Sequence, residues 1–219
     1  MREAFRNELD HLADQLVQMS ELVTQAISLA NKAILTADID LAEQVIDADV
    51  AIDNLQTELD QNAIDILATQ APVAGDLRVV VSALRMSASI ERMGDLARHI
   101  AQQARIRYPE QVIPGSFLGI FEGMARSSER IANATQQLLS HPGLSEVPNI
   151  AAIDEELDNL HLAVFNKIAE EHGLKSSTIA DITLLSRYYE RFGDHAESIA
   201  QKVEFLLTGN WDHREAQQP

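Results

Sequence analysis

Cysteine is absent from this 219-residue chain, which excludes disulfides, thiolate metal sites and a cysteine nucleophile. The lack also suits a reducing compartment. Glycine and proline are scarce, with 9 and 6 copies, and an all-β sandwich would need more turn residues than that. Positive charge is scarce too. Lys and Arg number 17 against 34 Asp and Glu, so the net charge is −17. That surplus argues against nucleic acid or an anionic membrane held by bulk charge, and leaves cations and basic partners open. No run of about 18 apolar residues occurs, so no direct membrane insertion is expected. The N-terminal stretch MREAFRNELDHLADQL is charged and amphipathic and lacks the apolar centre of a signal peptide. A cytoplasmic location is the expectation. Hydrophobic residues still make up 46%, enough at this length for a sizeable core.

What the chain has in abundance is helical periodicity. Leu9, Leu12, Leu16, Met19, Val23, Ala26, Ile27 and Ala30 step by threes and fours, as one buried helix face does. This predicts a first helix from near the start to about Leu35. Asp40 and Glu43 read as a capping box opening a second helix, which runs to about Thr69. Gln70-Ala-Pro-Val-Ala-Gly75 breaks the pattern, and Asp76 reads as the N-cap of a third helix ending near Arg107. Pro114-Gly115-Ser116 is a linker, with Ser116 as N-cap of a fourth helix that ends at Ser140. A fifth runs from Pro148 or Asn149 to His172-Gly173, where glycine is a good C-cap. Ser176 or Ser177 caps a sixth, ending near Gly209. The tail 211–219 is polar and is expected to fray.

The chain is also an internal duplication. Glu91-Arg-Met-Gly-Asp95-Leu-Ala97 recurs 99 residues later as Glu190-Arg-Phe-Gly-Asp194-His-Ala196. Asp49-Val-Ala-Ile-Asp53-Asn-Leu recurs 105 residues later as Asp154-Glu-Glu-Leu-Asp158-Asn-Leu. The expected fold is therefore all-α, two tandem three-helix bundles over 1–109 and 114–210. Two copies make a duplicated bundle and not a solenoid.

Each copy carries two acidic pairs at i, i+4. They are Asp49/Asp53 with Glu91/Asp95, and Asp154/Asp158 with Glu190/Asp194. That spacing puts both carboxylates on one helix face, where like charges repel unless a cation neutralises them. Two such helices side by side would converge four carboxylates, a donor set for hard cations with zinc also admissible. A solvated acidic face explains isolated pairs equally well; recurrence in both copies is what sets these apart. Glu91 and Asp95 also continue the stripe Leu77, Val81, Leu84, Ala88, which places them on or beside the inward face of the third helix.

Other residues have plainer readings. Residues 38–65 hold nine acids and no Lys or Arg, whereas the third helix carries Arg78, Arg85, Arg92, Arg98, Arg105 and Arg107. Arg92 and Arg191 are therefore expected to form ion pairs across their helix hairpins. Gly94 and Gly193 sit mid-helix at a cost of about 1 kcal/mol each, which close helix packing would justify. His99 and His195 read as ordinary surface or core histidines, and Tyr188 and Tyr189 as packing residues. No phosphate loop, zincin motif or nucleophile elbow occurs, so no enzyme is expected. A di-iron bundle would show Glu-x-x-His, which these motifs do not contain.

Gln70-Ala-Pro-Val-Ala-Gly-Asp-Leu-Arg78, followed by Glu91-Arg-Met-Gly-Asp95 and Glu190-Arg-Phe-Gly-Asp194-His-Ala196, resembles the PhoU family. These are accessory regulators of bacterial phosphate-specific transport. The resemblance spans essentially the whole chain, although the second copy lacks the Gln-Ala-Pro-Val-Ala-Gly-Asp-Leu-Arg segment. It implies a homodimer that represses the phosphate-starvation (Pho) response and phosphate import. It further implies a cytoplasmic adaptor between the phosphate transporter ATPase subunit and a sensor histidine kinase, reaching the membrane only through such partners. Some members bind multinuclear iron or zinc clusters through acidic-xxx-Asp motifs. Those motifs fall here on Asp49/Asp53, Glu91/Asp95, Asp154/Asp158 and Glu190/Asp194. The competing function is a metal-storage or metal-buffering bundle.

Overall fold

The computed structural model describes residues 2–209, which form six α-helices. They are α1 (Arg2–Thr36), α2 (Ile39–Gln70), α3 (Ala74–Arg107), α4 (Leu118–Ser140), α5 (Val147–Glu170) and α6 (Ser176–Thr208). The tail 211–219 lies outside the described residues. Among those described, no strand occurs and no helix is long and apolar enough to cross a membrane.

The helix interiors follow the apolar periodicity, and several caps do not. Ala37 adopts the left-handed region at φ 51° and closes α1. Asp38, not Asp40, then caps α2, its Oδ1 accepting the Leu41 N–H at 3.0 Å. Asp40 falls in the first turn, where its charge still favours the helix N-terminus. α3 opens on Val73 without a side-chain cap, leaving Asp76 in the first turn. Ser116 caps no helix: it lies in a 3-10 turn, Gly115–Phe117, and its hydroxyl donates to Glu171 at 2.8 Å. α5 starts one residue before Pro148 and ends at Glu170, ahead of Gly173. α6 begins at Ser176 after Lys175, which makes no side-chain cap, and ends on Gly209 at φ 77°.

The helices pack three and three, α1–α2–α3 and α4–α5–α6. The two sets meet through α1 on α4 and α3 on α6. Equivalent helices of the two repeats thus face each other, as in an isologous dimer. The seam is apolar in the main. Leu12, Leu16, Met86, Leu139 and Val203, from four different helices, line one small cavity of about 110 Å³ at one end. A buried polar knot interrupts the seam. Asn31 on α1 donates to the Ala125 carbonyl on α4 at 3.1 Å, and its Oδ1 accepts the Tyr189 hydroxyl from α6 at 2.7 Å. Nearer one end, Asp181 on α6 accepts from Arg107 at 2.8 Å and from Gln103 at 2.9 Å, both on α3.

The stripe Leu77, Val81, Leu84, Ala88 is not the buried face of α3. Leu77, Val81 and Ala88 are exposed, and Val80, Ala83, Ser87, Ile90, Gly94 and Ala97 are buried instead. Three helices surround α3, so small residues line most of its circumference and no single apolar stripe defines its inside. Glu91 and Asp95 consequently sit beside the core, half-buried.

Candidate metal centre

All eight acids lie on two helix pairs, in equivalent places. Asp49 and Asp53 stand on α2 against Glu91 and Asp95 on α3; Asp154 and Asp158 stand on α5 against Glu190 and Asp194 on α6. Mid-helix glycines let each pair approach. A Cβ on Gly94 would lie 2.8 Å from Ile52 Cδ1, and a Cβ on Gly193 would lie 2.3 Å from Asp154 Oδ1. The close packing expected of both glycines holds. At Gly193 the space a side chain would fill belongs to a carboxylate. Among the described residues, no three His, Asp or Glu side chains are drawn together closely enough to hold a metal ion in the arrangement seen.

The two clusters differ in how their charge is met. In the first, Arg98 spans the hairpin, with Nε 2.5 Å from Asp49 Oδ2 and a terminal nitrogen donating to Asp95 Oδ1. Arg92 was expected to make that crossing. It pairs instead within α3, at 2.6 Å from Asp95 Oδ2 and 3.6 Å from Glu91. Burial works to raise the Asp95 carboxyl, but Arg98 and Arg92 together outweigh it and hold it below its ordinary range. Asp49 is pushed up by burial, against the pull of Arg98. Glu91 is raised by burial and by the neighbouring Asp95.

In the second cluster, Asp154 is 7% exposed and its Oδ1 has no hydrogen-bond partner. Burial pushes its carboxyl up to about 7, and Glu197, Asp158, Asp194 and Glu190 all push the same way. Burial and Asp194 raise Asp158 and Glu190 as well. Arg187 pairs with Glu190 from the preceding turn, yet Glu190 Oε2 is buried without a partner. An open groove of about 670 Å³ runs along this face, lined by Asp154, Glu155, Asp158, Glu197 and Glu204. Burying carboxylate oxygens unpaired is expensive, and a cation reaching this cluster would satisfy them. The donor chemistry here suits a hard metal ion, although such an ion would have to draw the carboxylates closer together than they stand.

The sequence reading gives no role to Arg98, Glu197 or His161, and all three belong to these clusters. The 99-residue offset aligns Arg98 with Glu197, a charge reversal within a near-identical segment, and that signal was available. His161 stands three residues after Asp158, within 3.0 Å of Ser186 Oγ and edge-on to Phe165 at 4.9 Å. Burial holds its imidazole below the ordinary value, so it can offer a neutral nitrogen. His99 packs tilted against Tyr188 across the α3–α6 seam, with ring centroids 5.2 Å apart, and its Nδ1 is buried without a hydrogen-bond partner. His195 is half-buried.

The PhoU domain matches this chain twice, over residues 16–104 and 121–203. The chain belongs to the PhoU family. A relative from Mycobacterium tuberculosis, named phosphate-specific transport system accessory protein PhoU homolog 2, is 40% identical, with 95% of this chain and 99% of the relative covered. PhoU homolog 1 from Mycobacterium leprae is 38% identical, covering 96% of both chains. The crystal structure of PhoU from Pseudomonas aeruginosa superposes with a TM-score of 0.85 at 25% identity, covering 94% of this chain and all of that one. The tandem three-helix architecture read from the duplication is thus the architecture of the family.

Proposed function

We propose that this PhoU-family chain is an accessory protein of phosphate-specific transport that represses the phosphate-starvation response and phosphate import. The observation that carries the reading is its match, over nearly the full length of both chains, to relatives bearing that accessory name. It acts as a cytoplasmic adaptor between the transporter ATPase subunit and a sensor histidine kinase, and meets the membrane only through them. Long helices suit this work because they offer extended faces, at ~1.5 Å per residue. Exposed Leu162, Phe165 and Leu184 on α5 and α6 supply apolar surface for such contacts or for a homodimer.

Metal binding at the acidic-xxx-Asp pairs is part of the reading. Its support is the buried, unpartnered Asp154 Oδ1. Asp154, Asp158, Glu190 and Asp194 would hold an iron or zinc cluster, which would neutralise mutually repelling carboxylates and tie α5 to α6. A storage role would need many ions per chain. The four acidic-xxx-Asp pairs instead fall in two small clusters, which favours regulation or stabilisation.

The test is phosphatase reporter activity in phosphate-replete cells with and without the gene. High activity only in the deletion is expected. Equal activity would overturn the repressor role and leave metal handling as the function.

A further inference from the structure

We propose that metal binding is confined to the second repeat, because Arg98 is a tethered cation occupying in the first repeat the place a metal ion takes in the second. This rests on the metal-binding reading of the α5–α6 cluster and goes on to assign one residue as the selector. Arg98 and Glu197 are equivalent positions, each three residues after the aspartate of its motif, so each leans over the same part of its cluster. Arg98 holds Asp49 at 2.5 Å and also donates to Asp95 Oδ1, while Arg92 takes Asp95 Oδ2 at 2.6 Å. Both oxygens of Asp95 and one of Asp49 are thereby engaged. A metal ion could bind there only by displacing a guanidinium hydrogen-bonded to Asp95 and ion-paired with Asp49.

The second repeat has no guanidinium at the position of Arg98; Arg187 pairs with Glu190 Oε1 from within α6, and no ion pair crosses between α5 and α6 there among the described residues. Glu197 adds a fifth carboxylate where the guanidinium would be. Asp154, more than nine-tenths buried, turns an unpartnered oxygen toward Gly193, and Glu190 has a second buried oxygen without a partner. The groove of about 670 Å³ beside Asp154, Asp158 and Glu197 admits a hydrated ion. His161, next to Asp158, is replaced by Gln56 in the first repeat, so the nitrogen donor is also on one side only. The site takes a hard divalent or trivalent cation, bound mainly through oxygen.

The experiment is a manganese(II) chloride titration of chelator-stripped full-length protein, read by loss of the free-ion electron paramagnetic resonance signal. Asp53→Asn and Asp158→Asn are matched changes, one in each repeat. Wild type and Asp53→Asn are expected to bind alike, with Asp158→Asn weaker by more than about tenfold. Glu197→Arg should also lose the ion, and Arg98→Gln should gain uptake in the first repeat. Thermal melts read folding independently: manganese should raise the Tm of wild type and Asp53→Asn but not of Asp158→Asn. Should Glu197→Arg fail to fold, the matched aspartate pair still decides. Equal losses from Asp53→Asn and Asp158→Asn would overturn the asymmetry and leave metal binding standing. No uptake by wild type or by Arg98→Gln would overturn both.

Discussion

At Asp154, burial and four neighbouring carboxylates act in one direction, and its carboxyl titrates near 7 where an unfolded chain would titrate near ~3.9. Between those values the folded protein keeps a proton that the unfolded chain releases. The stability this group contributes is fully present below about pH 4 and is lost as pH rises through about 7. Asp154→Asn is neutral at every pH, so it should match wild type near pH 4. At pH 8 in a chelator it should be more stable by on the order of 2–4 kcal/mol. Urea unfolding of the two proteins from pH 4.5 to 8 measures the difference, and parallel curves would refute it. The same variant should bind metal poorly, which sets stability against binding at one atom. The eight acids are legible in the sequence because the duplication repeats them. Which arginine neutralises them is not. Arg92 and Arg98 both lie on α3, and the rotation of α3 against α2 decides which one reaches Asp49.

Among the elements, helix interiors are legible and helix ends are not. Apolar steps of three and four persist over many turns, whereas a cap is settled by one backbone dihedral. Before α2, Asp38 and Asp40 compete for the cap, and Asp40 has the better local pattern with Glu43. Asp38 prevails because Ala37, in the left-handed region, ends α1 and aims the next carboxylate at the Leu41 N–H. Asp38→Ala should therefore cost about 1 kcal/mol, while Asp40→Ala should cost only a few tenths through the helix dipole. Chemical denaturation of the two variants separates them; equal losses would return the cap to Asp40. The buried face of α3 is hidden in the sequence for a different reason. α1, α2 and α6 all pack on it, and the residues permitting that are Ser, Ala and Gly, which carry little hydrophobic signal.

For the whole molecule, the duplication is visible in the sequence but the way its halves join is not. The apolar seam also carries buried polar contacts: Asn31 bonded to Tyr189, and Asp181 bonded to Arg107 and Gln103. Such residues read as surface until their partners, 158, 74 and 78 positions away, are known. The seam also places α1 against α4 and α3 against α6, so each repeat supplies part of the other's core. Residues 1–109 alone would expose the α4-facing side of α1 and the α6-facing side of α3, together with the unpaired amide of Asn31. A small domain stripped of that much apolar contact has little margin. The isolated first repeat is therefore expected to self-associate through the same faces, or else to melt without a cooperative transition. Circular dichroism melts with analytical ultracentrifugation test this. A monomeric fragment melting cooperatively near the Tm of the full chain would mean that each repeat closes its own core. The seam would then be a docking surface between two independent domains and not a shared interior.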